Sequence, residues 1–256
     1  VSADTRIAVI SLPDASDRRT AFAERAREAG LGWSFFDAHR ELGPELRYDP
    51  DEAIVAKGRT MFPGELGCYS SHYYAWLELL ESGSPRMIVL EDDTIVDWAF
   101  LRKAAAVDFQ AKGVRYLRLY ARRPCAFRRH GEVVEPQRHL VEFADYAHGT
   151  QGYVITRQGA ERLVRHCRTV RRPVDIELDR SWDHGIRCLA VFPFPLIEMS
   201  ATSSIGPDRW ERFEVPARLR ARRLRTRITE RARRVRNRLR VLSSVRSPAS
   251  GSLLTP

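Results

Sequence analysis

Three consecutive carboxylates, Glu91-Asp92-Asp93, follow directly on the apolar run Met87-Ile88-Val89-Leu90. A short apolar run of this kind reads as a buried strand, and acids at its end are delivered to the C-terminal mouth of a sheet, where open α/β sheets bind ligands. Three acids held so close repel one another unless a cation neutralises them. Oxygen ligands with no thiol beside them suit Mg²⁺ or Mn²⁺, and such a cation suits a substrate that carries phosphates. The competing reading is a solvated acidic turn with no chemistry.

The elements that must position these acids follow from pattern. Arg6–Leu12 reads as a buried first strand, Asp14–Gly30 as a helix with Phe22, Ala26 and Ala29 on its apolar side, and Trp33–Asp37 as a second strand. Residues 40–60 read as a long irregular loop. Pro63 opens a second helix, as proline does at a first helical position, and the helix carries Leu66, Tyr69, Tyr73, Trp76, Leu77 and Leu80 to a stop near Ser82-Gly83. A helix over about 98–109, strands at Val114–Tyr120 and Val154–Thr156, a helix at Gln158–Cys167 and a strand at Leu189–Phe194 follow. Strands alternating with helices predict an α/β sheet.

The 256 residues are enough for one domain with an appendage. No apolar stretch approaches the ~20 residues needed to span a bilayer, and Val1–Asp17 contains acids and shows no cleavable-signal pattern. Cys68, Cys125, Cys167 and Cys188 form no CxxC pair, so reduced cysteines are the simplest expectation.

The net charge of +10 divides sharply along the chain. Beyond Val215 there are 13 Arg, no Lys and one acid, Glu230, which leaves residues 1–215 with 30 basic and 32 acidic residues, a net of −2. A body without basic excess argues against nucleic acid as its main ligand. We place the domain at residues 1–206 and assign 207–256 to a linker, an Arg-rich amphipathic helix and a disordered end. In that helix Leu219, Leu224, Ile228, Ala232, Val235, Leu239 and Leu242 recur mostly every three or four residues among arginines. Residues 218–242 could dock on an anionic membrane surface, bind nucleic acid through charge, or pack one stripe on the domain. The tail has no aromatics for base stacking, which favours the membrane.

Several segments together resemble glycosyltransferase family 25. They are Val9-Ile10-Ser11-Leu12 with Asp17-Arg18-Arg19, Gly64-Glu65-Leu66-Gly67-Cys68-Tyr69-Ser70-Ser71-His72, Leu90-Glu91-Asp92-Asp93, Gly149-Thr150-Gln151-Gly152-Tyr153-Val154-Ile155, and Pro173-Val174-Asp175. Their order matches the family and they span about residues 6–200; Ser11 stands where the family usually has Asn. The resemblance implies a GT-A-like fold, a single Rossmann-type nucleotide-binding α/β domain. It also implies a UDP-sugar donor, commonly UDP-galactose, a divalent cation (Mn²⁺ or Mg²⁺), and inversion at the anomeric carbon.

By that resemblance Asp93 ligates the metal, with Glu91 assisting or reaching the ribose and Asp92 on the donor side. Leu12, Asp17, Arg18 and Arg19 lie where nucleotides bind in such sheets: either arginine could pair with phosphate, and Asp17 could meet uracil or cap the helix. Ser71 and His72 are placed near the sugar or acceptor, against the alternative of packing within an apolar-sided helix, and Gly67 and Cys68 are read as packing residues. Gln151 could read sugar hydroxyls, and Gly149 and Gly152 would let backbone approach the ligand. Direct displacement needs a base for the acceptor hydroxyl. Asp175 is the first candidate, with Glu177, Asp179 and Asp183 as alternatives, unless that segment is only the polar face of a helix. Ser203-Ser204 could close over the donor.

The resulting expectation is a metal-dependent inverting glycosyltransferase. It would move a sugar, galactose first, from a UDP-sugar to a lipid-linked saccharide of lipopolysaccharide or lipooligosaccharide at the cytoplasmic membrane face. Its rivals are a nucleic-acid-binding protein acting through the tail and a degenerate glycosyltransferase-like scaffold.

Overall fold

The apolar runs become the centre of one sheet. The computed structural model describes residues 5–199 and 213–243. In chain order the elements are β1 (Thr5–Ser11), α1 (Ser16–Arg25), β2 (Ser34–Asp37), β3 (Arg47–Tyr48), α2 (Pro50–Lys57), α3 (Pro63–Glu81), β4 (Arg86–Glu91), β5 (Thr94–Val96), α4 (Trp98–Ala106), β6 (Tyr116–Arg118), β7 (Phe127–Val133), β8 (Glu135–Phe143), β9 (Gly152–Thr156), α5 (Arg157–His166), β10 (Thr169–Val170), α6 (Val174–Leu178), α7 (Ser181–His184), β11 (Leu189–Phe192), β12 (Leu196–Glu198) and α8 (Ala217–Ser243). Eight strands form a mixed sheet in the order β2-β1-β4-β9-β6-β11-β8-β7, and β3–β10 and β5–β12 form two small ribbons. The α/β expectation holds, with a helical C-terminal segment.

Both faces of the central strands are covered, which is why β1 and β4 read as unbroken apolar runs. Ile7, Val9, Ile88 and Leu90 face a core with Phe22, Phe100 and Leu101. The alternate residues Ala8, Ile10, Met87 and Val89 face a second core built on Tyr69, Tyr73 and Trp76 of α3. Proline does open α3, and the Glu65 carboxylate accepts the Phe62 N–H at 3.0 Å, which satisfies one donor at the helix start.

Some expectations are corrected. The first helix is shorter than Asp14–Gly30; it ends at Arg25, and Ala26 and Ala29 bury themselves in the turn that Gly30 closes with φ +64°. Residues 40–60 are not a loop throughout: β3 and α2 lie there. α2 is capped by Asp49, opened by Pro50 and closed by Gly58 at φ +100°. Its apolar set is only Ala53–Ala56, too short to show a period. The β7–β8 hairpin escapes sequence reading altogether, because arginines and a histidine interrupt the alternation and the turn uses Val134 at φ +69° in place of glycine. The late strand stops at Phe192, and β12 follows separately. The domain boundary expected at 206/207, Ser203-Ser204 and the end beyond Ser243 lie outside the described residues.

The Arg-rich helix α8 lies on the domain against α2, α7 and β7. Leu219 packs with Ile54 and Val55. Arg223 donates to the last carbonyls of α2, those of Val55, Ala56 and Lys57, where the helix dipole favours a cation. Glu230, the tail's single acid, pairs with Arg172 and Arg180. Arg233, Arg234 and Arg240 pair with Asp183, Asp145 and Glu142.

Candidate active site

β1 and β4 run parallel with Ile10 beside Glu91. β9 runs antiparallel to β4 with Gly152 beside Leu90, so residues 147–151, which lead into β9, meet the acids that leave β4. The Glu91 amide donates to the Gln151 carbonyl at 2.9 Å. Gly152 lets the Leu196 side chain in close: a Cβ there would stand 2.1 Å from Leu196 Cδ1 and 3.1 Å from Leu90 Cδ2, and would push the leucines aside. That close approach seats β12, and with it Glu198, over the same edge.

The three carboxylates have three different surroundings. Asp92 is buried; it accepts the Ser11 hydroxyl at 2.6 Å and lies 3.4 Å from Arg18 Nη1, while its carbonyl accepts from Arg25. It pins β1 and α1 to the end of β4. Glu91 accepts the Thr150 hydroxyl at 2.5 Å, and His72 Nε2 stands 3.5 Å away. Burial alone would raise the Glu91 carboxyl; His72 and Thr150 more than offset this and hold it below the usual range. Asp93 has no such help. Its Oδ1 is buried without a hydrogen-bond partner among the described residues. Burial, together with the charges of Glu91, Asp92 and Glu198, pushes its carboxyl up to about 7.

A divalent cation fits this place. Asp93 offers an unpartnered buried oxygen, Glu91 is two residues away, and both are hard oxygen ligands. Among the described residues no group of three His, Cys, Asp or Glu could hold an ion by itself, so diphosphate oxygens and water would have to complete the shell.

His72 is held from behind. Its Nδ1 is 2.9 Å from the Tyr153 hydroxyl, which accepts the Trp76 indole N–H at 2.8 Å. Tyr153 thus has its own proton to give to Nδ1, which places the proton of a neutral His72 on Nε2, facing Glu91. Around the rim, Glu198 accepts from Tyr120 at 2.8 Å and from Gln151 Nε2 at 3.1 Å and pairs with Arg122. Gln151 Oε1 is left buried and unpartnered among the described residues.

The other end of the 147–151 segment carries a second constellation. His148 Nδ1 lies 3.3 Å from Asp175 Oδ2. Burial would raise Asp175, but the hydrogen bond and charge of His148, with Lys57 and Arg118 behind, bring it down to about 2. His148 and Gly149 have φ of +56° and +86°, and a non-glycine residue in that region is uncommon enough to mark a constrained site. Asp179 fixes the bend by accepting the amides of Ala147 at 3.0 Å and His148 at 2.8 Å, and it is itself paired with buried Arg118 at 2.7 Å. Arg118 also donates to the Gly149 carbonyl. His148 lines a cleft of about 420 Å³ with Arg123, Tyr146, Asp145, Arg234 and Arg238, so α8 forms one wall of it.

The structure therefore gathers Glu91, Asp93, His72, Gln151, Gly149 and Asp175 along one edge. It gives other candidates structural partners. Arg19 folds back onto the Ser11 and Leu12 carbonyls and pairs with Asp37, while Asp17 is exposed in the first turn of α1. The Ser71 hydroxyl accepts from His39 N and donates to the Gly67 carbonyl, both at 2.8 Å. Gly67 admits the chain closely, since a Cβ would lie 2.5 Å from the His39 carbonyl oxygen. Of the alternative acids, Glu177 is buried among Arg172, His166 and Arg180, Asp179 holds the loop, and Asp183 pairs with Arg180 and Arg233. Sequence reading missed His148, Thr150, Glu198, Tyr120 and Arg122. Thr150 lay within a quoted motif, and the rest carry no local pattern.

A family model described as glycosyltransferase family 25 (LPS biosynthesis protein) matches residues 4–178. The chain belongs to glycosyltransferase family 25. The matched stretch holds β1, β4, the 147–151 segment and Asp175, the parts that make the site. Procollagen galactosyltransferase 1 of Danio rerio is 34% identical over 110 residues, covering 42% of this chain and 18% of its own length. A glycosyltransferase 25 family member of Anopheles gambiae is 30% identical over 170 residues, covering 63% and 28%. A probable inactive glycosyltransferase 25 family member 3 of Bos taurus is 30% identical over 181 residues, covering 65% and 30%. The chain thus spans less than a third of the length of these curated relatives.

Proposed function

We propose that this chain is an inverting glycosyltransferase that moves a sugar from a UDP-sugar to a saccharide of lipopolysaccharide or lipooligosaccharide, at the cytoplasmic face of a membrane. The observation that carries the reading is Asp93, which has one carboxylate oxygen buried and without a partner among the described residues at the mouth of β4, within a family match that spans β1, β4, the 147–151 segment and Asp175. Galactose is the favoured sugar because relatives bear the name galactosyltransferase.

Asp93, assisted by Glu91, would hold Mn²⁺ or Mg²⁺. The bound ion would stabilise the negative charge that grows on the departing diphosphate. Thr150 and His72 keep Glu91 ionised and oriented, and Gln151, fixed by Glu198, offers an amide to sugar hydroxyls. On the acceptor side, Asp175 occupies His148 Nδ1 and leaves Nε2 free to take the hydroxyl proton. A carboxylate brought down to about 2 is a weak base, so the His148–Asp175 pair serves better than Asp175 alone, with the carboxylate orienting the ring and stabilising its charged form. The acceptor oxygen then bonds to the anomeric carbon as its bond to phosphate breaks, and the proton resides on His148. Asp175 remains essential as the positioning residue.

The probable inactive bovine relative favours one alternative, a non-catalytic scaffold of the same fold. Calorimetric titration of UDP into the protein with Mn²⁺, then with EDTA, separates the two. Metal-dependent binding supports the enzyme, and absence of binding by folded protein in both conditions rejects the donor site.

A further inference from the structure

The two sides of α8 differ in kind. The side toward the body uses Leu219, Arg223, Glu230, Asn237 and Val241, of which Leu219, Asn237 and Val241 are buried. The side away from it exposes Leu224, Ile228, Val235 and Leu239, each more than half accessible. Their spacings of four, seven and four residues place them within an arc of roughly 60° at 3.6 residues per turn. Leu219 and Val241 point about the opposite way. The periodic apolar set therefore does not form a single packing stripe; the body takes a mostly ionic face and leaves an apolar one in the open.

Arginine flanks that apolar stripe on both sides. Arg220, Arg227, Arg231 and Arg238 fall on one border, and Arg225 and Arg236 on the other. Among the described residues Arg225, Arg227, Arg231, Arg236 and Arg238 have no ion-pair partner, in contrast to Arg218, Arg233, Arg234 and Arg240. An apolar strip bordered by unpaired guanidinium groups matches a surface that is apolar in the middle and anionic at the rim, which is the phosphate–acyl boundary of an acidic bilayer. Among the described residues no helix is long and apolar enough to cross a membrane. Nucleic acid fits less well, because the stripe would face phosphates and α8 carries no aromatic side chain.

We propose that α8 is an interfacial anchor that lies in the plane of an anionic phospholipid surface. Leu224, Ile228, Val235 and Leu239 enter the acyl boundary, and the flanking arginines contact lipid phosphates. The anchor also orients the site. Arg234 and Arg238 line the cleft that contains His148, so docking places the mouth of that cleft beside the bilayer, where a lipid-linked acceptor would reach it. The anchoring itself rests on the geometry of α8 and not on glycosyl transfer; the orientation deepens that reading.

The test is co-sedimentation with vesicles of phosphatidylethanolamine containing one-third phosphatidylglycerol, against pure phosphatidylcholine. The expected result is binding to the acidic vesicles alone. Replacing the four apolar residues with Gln should cut partitioning at least about tenfold while UDP–Mn²⁺ binding and circular dichroism stay unchanged. Ile228→Trp should show a blue-shifted emission component, absent from the parent, that brominated lipid quenches. Binding that survives the four substitutions, no such component in the vesicle-bound Ile228→Trp variant, equal binding to phosphatidylcholine, or a stripe that serves only to dimerise the chain would each overturn the proposal. RNA binding with no vesicle binding would overturn it too. Vesicle binding without UDP binding would leave the anchor standing and remove the donor reading.

Discussion

His148 Nδ1 and Asp175 Oδ2 lie 3.3 Å apart although they come from different parts of the fold, one from the bend before β9 and the other from α6. Asp179 sets the position of the histidine, since its carboxylate holds the amides of Ala147 and His148, and it stands at the end of α6, the helix that carries Asp175. A single short acidic segment therefore supplies both the partner of the histidine and the clamp on its backbone.

If His148 takes the proton, His148→Ala should lower the transfer rate by roughly 10²–10⁴-fold and leave UDP binding intact. Asp175→Asn should lower kcat, because the ring loses the carboxylate that holds Nδ1 and aims Nε2 at the hydroxyl. Single-turnover transfer and UDP titration check both; an unchanged rate in His148→Ala would return the base to Asp175 or place it elsewhere.

Asp175 also makes a stability prediction with a definite sign. Its folded-state value of about 2 lies below the ordinary value of 3.8. A depressed acid stabilises the fold above its unfolded value, and that contribution disappears as pH falls from about 4 towards 2. The amount is on the order of 2 kcal/mol. Asp175→Asn should therefore lose stability near pH 6 and differ little from the parent near pH 2, as urea denaturation at the two pH values would show.

Asp93 points the other way. A buried acid pushed up to about 7 weakens the ion-free fold increasingly as pH rises from about 4 to 7. Asp93→Asn should raise the melting temperature of ion-free protein at pH 8, by on the order of 2 kcal/mol in stability after solvent screening. It should also abolish Mn²⁺-dependent UDP binding. A variant that melts lower, or binds UDP with Mn²⁺ as the parent does, would remove the metal assignment.

How much of this could be read from the chain follows from where the information sits. β1, β4 and α3 were legible because burial on both faces writes an unbroken apolar run, and burial along a helix a period, into contiguous residues. The acids after β4 were legible for the same reason. The division of labour among them was not: whether Asp92 is pinned by Ser11 or Asp93 is left bare depends on partners that lie 81 residues away or on another strand. Glu177 and Asp179 looked like equals of Asp175 because sequence shows charge and not burial. His148 carried no signal at all, since the left-handed bend that aims it is made by long-range contacts to Arg118 and Asp179.

The Arg118–Asp179 pair is almost wholly buried on both sides at 2.7 Å. Removing one member strands the other charge, so Asp179→Ala should cost about 3–5 kcal/mol. Asp179→Asn keeps one acceptor and should cost less. Activity should fall in both because the bend loosens. Glu177→Gln should show the same order of effects, stability before rate. If Asp179→Asn were stable, bound UDP and had no activity while His148→Ala remained active, Asp179 would have to be moved into the proton-transfer step.

Truncation before α8 is the last expectation, and it differs from simple removal of a tail. Leu219 and Val241 are buried against the body, Glu230 neutralises Arg172 and Arg180, and Arg223 closes the end of α2. Deleting residues 213–256 should therefore destabilise the domain by more than about 3 kcal/mol, since two buried side chains contribute about 1.5–3 kcal/mol each and the buried Arg172 and Arg180 lose one of their acidic partners while keeping Glu177 and Asp183. A truncated domain that melts with the parent would show that the ionic face of α8 contributes nothing. A lowered melting temperature would explain why the anchor has to be tested with substitutions on its outer face and not by deletion, because loss of vesicle binding by an unfolding domain says nothing about the stripe.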